Sequence, residues 1–269
     1  MGNSTVASDG VRDGSAGGNA AGDAGGSPVA AETEDFVFEG GGQRLAATRT
    51  VRADGSRPSV LALHGLGTTA TRHRIRYLLD AVAAHGHGWL TFDFGGNGES
   101  TGVLTGSTLR GRRAETLAAA AHLDPATAPV LVGTSMGAHL AAASVPRLRP
   151  RGLVLFCPAA YPADAEGLPF DGSLVKPGNY PDSPAYAGLR EFDGDLLVVT
   201  AGRDQVVAPA VVDGYLESAR NARSAEVVRL DDCDHFVHRW LPGQPELRDE
   251  VVQAMLRLLS AEAPTLQRS

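Results

Sequence analysis

The sequence lacks most of the features that would assign it to several large functional classes. Its 269 residues include one lysine, two cysteines and no run of basic residues, and the formal net charge is −7. This balance argues against a nucleic-acid partner and against an anionic membrane surface, because both need clustered positive charge. No stretch of about 18 uninterrupted apolar residues is present, so we expect no segment to span a membrane.

Cys157 and Cys233 are too few for a disulfide framework in a chain of this length. Both follow predicted strands, which favours two partly buried thiols, although a bridge stays open if those strands are neighbours. The His, Cys, Asp and Glu residues show no metal-ligand spacing, and no glycine-rich loop leads into a Lys-Ser or Lys-Thr pair. We therefore expect neither a metal nor another cofactor.

The first 34 residues lack aromatic side chains and consist mainly of Gly, Ala, Ser, Asp and Asn. Such a composition buries too little apolar surface to offset the entropy of ordering, so residues 1–34 are predicted to be a disordered tail. They have no apolar run typical of a secretory signal, which makes the cytoplasm the default expectation.

Residues 35–265 have the pattern of one globular domain. Residues 36–38 and 45–51 predict an antiparallel hairpin turning at 40–42. Short apolar runs follow without alternation, as expected of strands covered on both faces, at 60–63, 89–94, 130–132, 153–156, 196–200 and 227–230. Helical patterns separate most of them, at 72–84, 108–122, 136–146, 208–220 and 246–260. The alternation predicts the α/β class, a mostly parallel central sheet flanked by helices.

One connection, between the strands at 153–156 and 196–200, is much longer than the others. It is rich in Pro, Gly, Tyr and Asp, and a connection this long in a compact domain is usually functional. We interpret residues 159–192 as a small lid over the carboxyl edge of the sheet, with one short helix near 183–191. Its aromatic side chains either contact a substrate or only pack the lid onto the sheet; they are Tyr161, Phe170, Tyr180 and Tyr186.

The most informative segment reads PVLVGTSMG at residues 129–137. A β-branched run meets Gly133-x-Ser135-x-Gly137, and a helix of small residues follows, which is the order strand, sharp turn, helix. The two glycines remove Cβ atoms that would collide where strand and helix nearly touch, and the turn strains the backbone of Ser135. This pattern predicts a nucleophilic serine; the alternative is a serine that merely caps the helix.

Other polar motifs also follow predicted strands, where open α/β sheets bind their ligands. They are His64-Gly65-Leu66-Gly67, the loop 93–100, Asp204 and His235. The chain order Ser, Asp, His, each at its own strand end, is that of α/β-hydrolases. Residues 35–262 resemble this family, in particular the short-lidded esterase and acylaminopeptidase-like branch that includes cinnamoyl esterases. Two positions depart from the family pattern and blur the subfamily. Thr134 stands where many relatives carry His, and Gly95-Gly96-Asn97 replaces a more usual Arg-Gly-His.

The resemblance implies a role for each motif. Ser135 is expected to be the nucleophile, His235 its base, and Asp204 the acid that orients the imidazole. The backbone N–H groups of Leu66 and Met136 are expected to form the oxyanion hole. The rival base is His238, and the rival acids, too near His235 along the chain to reach its Nδ1, are Asp231, Asp232 and Asp234. Asp204 has the alternative role of capping the helix that follows it.

The implied activity is a serine hydrolase that cleaves a carboxylic ester of a small or medium acyl group through an acyl-serine intermediate. The expected partner is a small-molecule acyl substrate, and the sequence has no signal for oligomeric state. One alternative is a thioesterase or acyltransferase in a biosynthetic pathway. Another is an aminopeptidase-like amide hydrolase, which would bind a substrate amine through carboxylates of the lid, for which the candidates are Asp164, Glu166 and Asp171.

Overall fold

The computed structural model describes residues 32–261. The predicted disordered tail therefore lies outside the described residues up to residue 31, whereas Thr33 and Glu34 already belong to the first strand. The strands in the described range are β1 Thr33–Gly40, β2 Gln43–Thr50, β3 Val60–Leu63, β4 Trp89–Phe92, β5 Val130–Thr134, β6 Gly152–Phe156, β7 Asp195–Ala201 and β8 Ser224–Leu230. The helices there are α1 Arg76–Ala83, α2 Leu109–Ala120, α3 Met136–Ala143, α4 Val145–Leu148, α5 Pro184–Arg190, α6 Pro209–Ser218, α7 Val237–Trp240 and α8 Pro245–Ser260.

The strands form one sheet in the order β1-β2-β4-β3-β5-β6-β7-β8. The β1–β2 and β2–β4 pairs are antiparallel, and every other pair is parallel. The predicted α/β class with a mostly parallel sheet is confirmed. β4, the next strand along the chain, lies on one side of β3, and β5 lies on its other side. The strand order therefore reverses at β3. Such a switch point leaves a crevice at the carboxyl ends of the strands.

Helices cover both faces of the sheet, which explains why the central strands are apolar without alternation. In β3, Leu61 and Leu63 belong to one buried cluster, which includes residues of α2, α3, α5 and α6. Val60 and Ala62 belong to the other, formed with α1 and α8. Because successive side chains of a strand point to opposite faces, each face needs its own apolar residues.

The helix predicted at 72–84 begins only at Arg76, and the difference has a local cause. The backbone N–H of Arg72 donates to the Asp93 carboxylate at 2.7 Å, which holds residue 72 in an irregular turn. The helix predicted at 136–146 is divided at Ser144 into α3 and α4. Pro146 lies in the first turn of α4, where its missing N–H costs no helical hydrogen bond.

Part of the segment 159–192, interpreted from the sequence as a lid, belongs to the layer of helices that covers the sheet. Its helix, predicted near 183–191, is α5, and it packs against α3 so closely that a Cβ on Gly188 would lie 2.0 Å from the carbonyl oxygen of Ala142. The earlier half of the segment lies beside α2, where Glu166 pairs with Arg113 at 2.9 Å. The lid interpretation stays a prediction for that half only. No helix in residues 32–261 is long and apolar enough to cross a bilayer.

Candidate active site

The turn between β5 and α3 has the strained geometry that the glycine pattern predicts. Ser135 has φ 53° and ψ −112°, outside the ordinary regions for a residue with a side chain. A Cβ on Gly133 would lie 2.5 Å from the Cα of Ala138, and one on Gly137 would lie 2.3 Å from the carbonyl oxygen of Leu63. Only glycine fits at these two positions, so β3, β5 and α3 can converge beneath the serine.

Three distant side chains meet at this turn. Ser135 Oγ lies 3.0 Å from His235 Nε2, and His235 Nδ1 lies 2.8 Å from an Asp204 carboxylate oxygen. With its proton on Nδ1, donated to Asp204, the imidazole leaves Nε2 able to accept the Ser135 hydroxyl proton. The side chains of His235 and Asp204 are about one-tenth exposed, so the chain of hydrogen bonds is shielded from water.

Parallel pairing of β7 with β8 brings Asp204 and His235 together. Ala201 pairs with Leu230, so the loops after both strands leave the sheet side by side. Burial by itself raises the pKa of Asp204, but hydrogen bonds from His235 and from the N–H groups of Val206 and Val207 lower that pKa overall. Asp204 is therefore anionic at neutral pH, which keeps the Nδ1 proton in place. These two N–H contacts fix a turn within the loop, whereas α6 begins after Ala208 without a side-chain cap, so Asp204 does not have the alternative role of capping that helix.

The loop that follows β3 lies directly against the serine turn. A Cβ on Gly65 would be 3.4 Å from Ser135 Cβ. The His64 ring holds this loop to the end of β4, since Nε2 accepts from the Phe94 N–H at 3.0 Å and Nδ1 faces the Gly65 carbonyl at 2.8 Å. Burial, together with the charge of Arg112, lowers the pKa of His64 to about 4, so the ring is neutral. Its surroundings make it a support for the loop that carries Leu66.

Asn97 ties the same loop down from the other side. Its Nδ2 donates to the carbonyl of Gly67 at 2.8 Å and to that of Ala70 at 3.1 Å, and its Oδ1 accepts from Arg112 at 2.7 Å. The buried Arg112 guanidinium lies between the rings of Phe94 and Phe170. In the sequence, Asn97 is only a departure from the family pattern. Its role in holding the loop depends on the spatial proximity of residues 67 and 97, which no local pattern indicates.

The comparisons with known proteins bear on the fold and on the part of the chain that contains Ser135. Residues 54–175 match the family model described as serine aminopeptidase, S33, a range that includes Ser135 but ends before Asp204 and His235. A serine hydrolase without a lid from Xanthomonas campestris is 24% identical, covers 87% of this chain and 97% of its own, and has a TM-score of 0.59. An esterase from Pyrococcus furiosus is 16% identical, with 85% and 92% covered and a TM-score of 0.63.

A thioesterase domain from the curacin biosynthetic pathway is also similar in structure, at 16% identity, with 84% of this chain and 99% of that one covered and a TM-score of 0.61. No curated protein sequence matches the chain significantly. The chain has the α/β-hydrolase fold, and its residues 54–175 match a serine-hydrolase family model. The family match supports hydrolytic chemistry, but a fold shared this widely does not specify which bond an α/β-hydrolase cleaves.

The rival base and the rival acids have hydrogen-bond or ion-pair partners other than the catalytic candidates. His238 Nε2 bonds Thr134 Oγ1 at 2.7 Å and its Nδ1 bonds the Tyr77 hydroxyl at 3.1 Å. Burial lowers the pKa of His238 to about 3, so it links β5 to α1 as a neutral ring. The three rival acids also have other partners: Asp231 pairs with Arg229, Asp232 with Arg203, and Asp234 accepts from the Phe236 N–H.

A cavity of about 220 Å³ opens beside Ser135 at the switch point of the α/β-hydrolase sheet. Its wall is formed by residues 64–71, Arg74 and Ile75 on one side and by residues 235–239 on the other. Leu66 and Phe236, 38% and 49% exposed, supply apolar surface at its edge. The cavity therefore joins the serine turn to the loop expected to stabilise an oxyanion.

None of the four aromatic residues predicted to contact substrate is among the residues lining this cavity. Tyr161 and Tyr186 are buried in the helical layer, where Tyr161 stacks edge-on against His139 and the Tyr186 hydroxyl donates to the Val211 carbonyl. Phe170 lies against Arg112, and the Tyr180 hydroxyl donates to the Lys176 carbonyl. The structure therefore shows the alternative role, packing, for Tyr161 and Tyr186, whereas substrate contact by Phe170 and Tyr180 stays a prediction.

Cys157 is a neighbour of the site that the sequence did not reveal. Three atoms that could bind a metal lie within 4.8 Å of one another, one each from Cys157, Asp204 and His235. The donor types are those of a metal site. Burial, with the nearby Asp204 charge, raises the pKa of Cys157, and Asp204 and His235 already bond each other. A protonated thiol is a poor metal ligand, so the donor set does not fit a metal well. Both cysteines are free.

Proposed function

We propose that this α/β-hydrolase is a serine esterase that cleaves a carboxylic ester of a small or medium acyl group through an acyl-Ser135 intermediate. The observation that carries the proposal is the hydrogen-bonded chain from Ser135 through His235 to Asp204 at a strained turn beside a cavity. A serine hydroxyl is a weak nucleophile at neutral pH, and a base held in this position is what activates it.

The reaction follows from this arrangement. Ser135 Oγ attacks the ester carbonyl while His235 Nε2 takes its proton, and Asp204 stabilises the imidazolium. The N–H groups of Leu66 and Met136 stabilise the negative oxygen of the tetrahedral intermediate, for which one donor typically contributes about 3 kcal/mol. His235 then protonates the departing alcohol. A water molecule, deprotonated by His235, then attacks the carbonyl of acyl-Ser135. As the bond from the acyl carbon to Ser135 Oγ breaks, His235 returns the proton to Oγ and the carboxylic acid leaves.

Two features of the cavity favour an ester of modest size. Its volume of about 220 Å³ is below the roughly 300–1,000 Å³ typical of pockets for drug-sized ligands. Its edge, with Leu66 and Phe236, is apolar, which suits the hydrocarbon of an acyl group. The partner we propose is accordingly a small-molecule acyl substrate.

The family match raises the alternative of an aminopeptidase, which would hold the amino group of its substrate with carboxylates. No Asp or Glu is among the described residues that line the cavity. Of the three candidate carboxylates, Glu166 pairs with Arg113, whereas Asp164 and Asp171 are exposed outside the cavity. This favours an ester over a substrate with a free amine.

The decisive experiment compares Ser135→Ala with the wild type on 4-nitrophenyl acetate and butyrate. We expect the variant to lose about 10⁴-fold or more in kcat, because the remaining binding groups provide little chemistry of their own. Ser173→Ala, at an exposed serine of the segment 159–192, is the matched control and should retain wild-type turnover.

Mass spectrometry of the wild type after a fluorophosphonate probe should place the label on Ser135. Unchanged turnover in Ser135→Ala, or a label on another residue, would contradict the proposal. An acyl-Ser135 adduct from a thioester donor, with poor hydrolysis of simple esters, would redirect it to the thioesterase or acyltransferase alternative.

A further inference from the structure

The charged side chains that line the cavity have one sign. They are Arg74, which precedes α1, and Arg239 in α7, and no acidic residue joins them in the described wall. The chain as a whole carries a formal net charge of −7, so this local excess of positive charge runs against the composition. A cavity whose charges share one sign attracts a substrate of the other sign.

Thr69 holds both guanidinium groups near each other. Arg239 donates from Nη2 to Thr69 Oγ1 at 3.0 Å, and Arg74 donates from Nε to the Thr69 carbonyl at 3.4 Å. The guanidinium of Arg239 also lies 4.7 Å from the centre of the Phe236 ring. These contacts position the two groups and leave further N–H donors on each for a ligand.

Neither arginine forms an ion pair within residues 32–261, although both are exposed at the cavity edge. The acids near them along the chain have other partners, since Asp80 pairs with Arg76 and Asp234 accepts from Phe236 N–H. Two oriented, unpaired guanidinium groups beside a nucleophilic serine match the planar, bidentate geometry of a carboxylate.

We propose that Arg74 and Arg239 bind a carboxylate on the substrate, so that the enzyme prefers anionic esters to their neutral analogues. The inference rests on the proposed esterase function and specifies the substrate class for the same cavity. Because Ser135 and the two arginines line one small cavity, the carboxylate belongs to the same molecule as the scissile ester.

Matched ester pairs test this on the full chain. The first pair has the charge on the acyl side, 4-nitrophenyl hydrogen adipate against 4-nitrophenyl methyl adipate. The second has it on the alcohol side, 4-acetoxybenzoate against its methyl ester. We expect the wild type to prefer the anionic member of at least one pair by about 10-fold or more in kcat/KM, as charge-assisted hydrogen bonds allow. The pair that shows the preference identifies the side that carries the carboxylate.

Arg74→Gln and Arg239→Gln should each reduce this preference, and the double variant should remove it while leaving kcat/KM on the neutral ester within about 3-fold of wild type. Arg239→Lys, which keeps the charge, should retain part of it. Arg147→Gln removes an equivalent exposed charge from α4, outside the cavity, and should change nothing.

A wild type that hydrolyses both members of each pair equally would overturn the inference and leave the esterase proposal standing. A double variant that loses the same factor on anionic and neutral esters would also overturn it, since the arginines would then be structural only. If Ser135→Ala retains full activity on the neutral esters, the esterase proposal itself fails.

Discussion

The two sides of Ser135 are built on different principles. On the cavity side, residues 64–75 and 235–239 are held by polar side chains, such as Asn97 and His238, that bond neighbouring loops and leave space between them. On the insertion side, residues 159–192 pack against α3 and α6 through buried rings, such as Tyr186 against Tyr215. Aromatic content in a long connection is thus a poor guide to whether its rings line a cavity.

The difference follows from what each side has to do. Small residues make α3 wholly buried, so α5 approaches its backbone closely and the rings beside it gain the free energy of burial, roughly 1.5–3 kcal/mol for a large side chain. The cavity side must instead keep N–H groups and a hydroxyl open to a ligand. Hydrogen bonds, which fix position without filling volume, can support such a site.

Among the variants that test this comparison, Asn97→Ala on the cavity side is expected to have the largest effect. This variant removes both hydrogen bonds that hold the carbonyls of Gly67 and Ala70, so the loop with Leu66 loses its fixed position. We expect kcat on 4-nitrophenyl butyrate to fall about 10- to 100-fold with a smaller change in KM, because an oxyanion donor acts mainly in the transition state.

Asn97→Asp is the matched variant. It keeps an acceptor for Arg112 but loses the two donations, so it should be at least as impaired as Asn97→Ala. Wild-type kcat in either variant would show that the loop is held without this side chain.

The next effect, on the insertion side, concerns stability and pH. His139 is buried in α3 with neither ring nitrogen hydrogen-bonded, and burial lowers its pKa from 6.5 to about 3. Between these values the unfolded chain takes up a proton that the folded protein does not, so the free energy of unfolding falls as pH decreases, by about 1 kcal/mol per pH unit. His139→Leu should therefore reduce this slope below pH 6.5 without reducing stability at pH 7.5; the slope that remains comes in part from His64 and His238, whose pKa values burial also lowers.

Urea unfolding at pH 7.5, 6.0 and 5.0 measures this slope. His73→Leu, at an exposed histidine, should leave the wild-type slope unchanged. Equal slopes in His139→Leu and wild type would mean that His139 does not contribute to the pH dependence.

The smallest effect separates the two sides most directly. Tyr186→Phe removes the hydrogen bond from the hydroxyl to the Val211 carbonyl but keeps the buried ring. We expect a loss of about 1 kcal/mol in the free energy of unfolding, with kcat and KM unchanged, because the ring does not line the cavity. A clear rise in KM would return Tyr186 to the substrate site and weaken the distinction between the two sides.

Much of the fold and the position of the nucleophile were predictable from local pattern. The apolar runs identified every parallel strand, and the spacing of Gly133, Ser135 and Gly137 identified the turn, because sterics there depend on residues adjacent in sequence. The lid aromatics could not be assigned the same way. The sequence pattern is the same for a tyrosine that contacts a substrate and for one packed between helices, so the two cases differ only in the neighbours of the side chain in the fold.

Local sequence patterns account for the order of strands and helices, the strained turn and the residue types at each strand end, since β-branched runs and glycine spacing act through near neighbours along the chain. Which of these groups meet depends on the three-dimensional arrangement. Contacts such as Thr134 with His238 span 104 residues, and the guanidinium groups of Arg74 and Arg239 share Thr69 because two loops converge where the strand order reverses. Such contacts depend on the sheet topology and on packing against it, which no local pattern encodes.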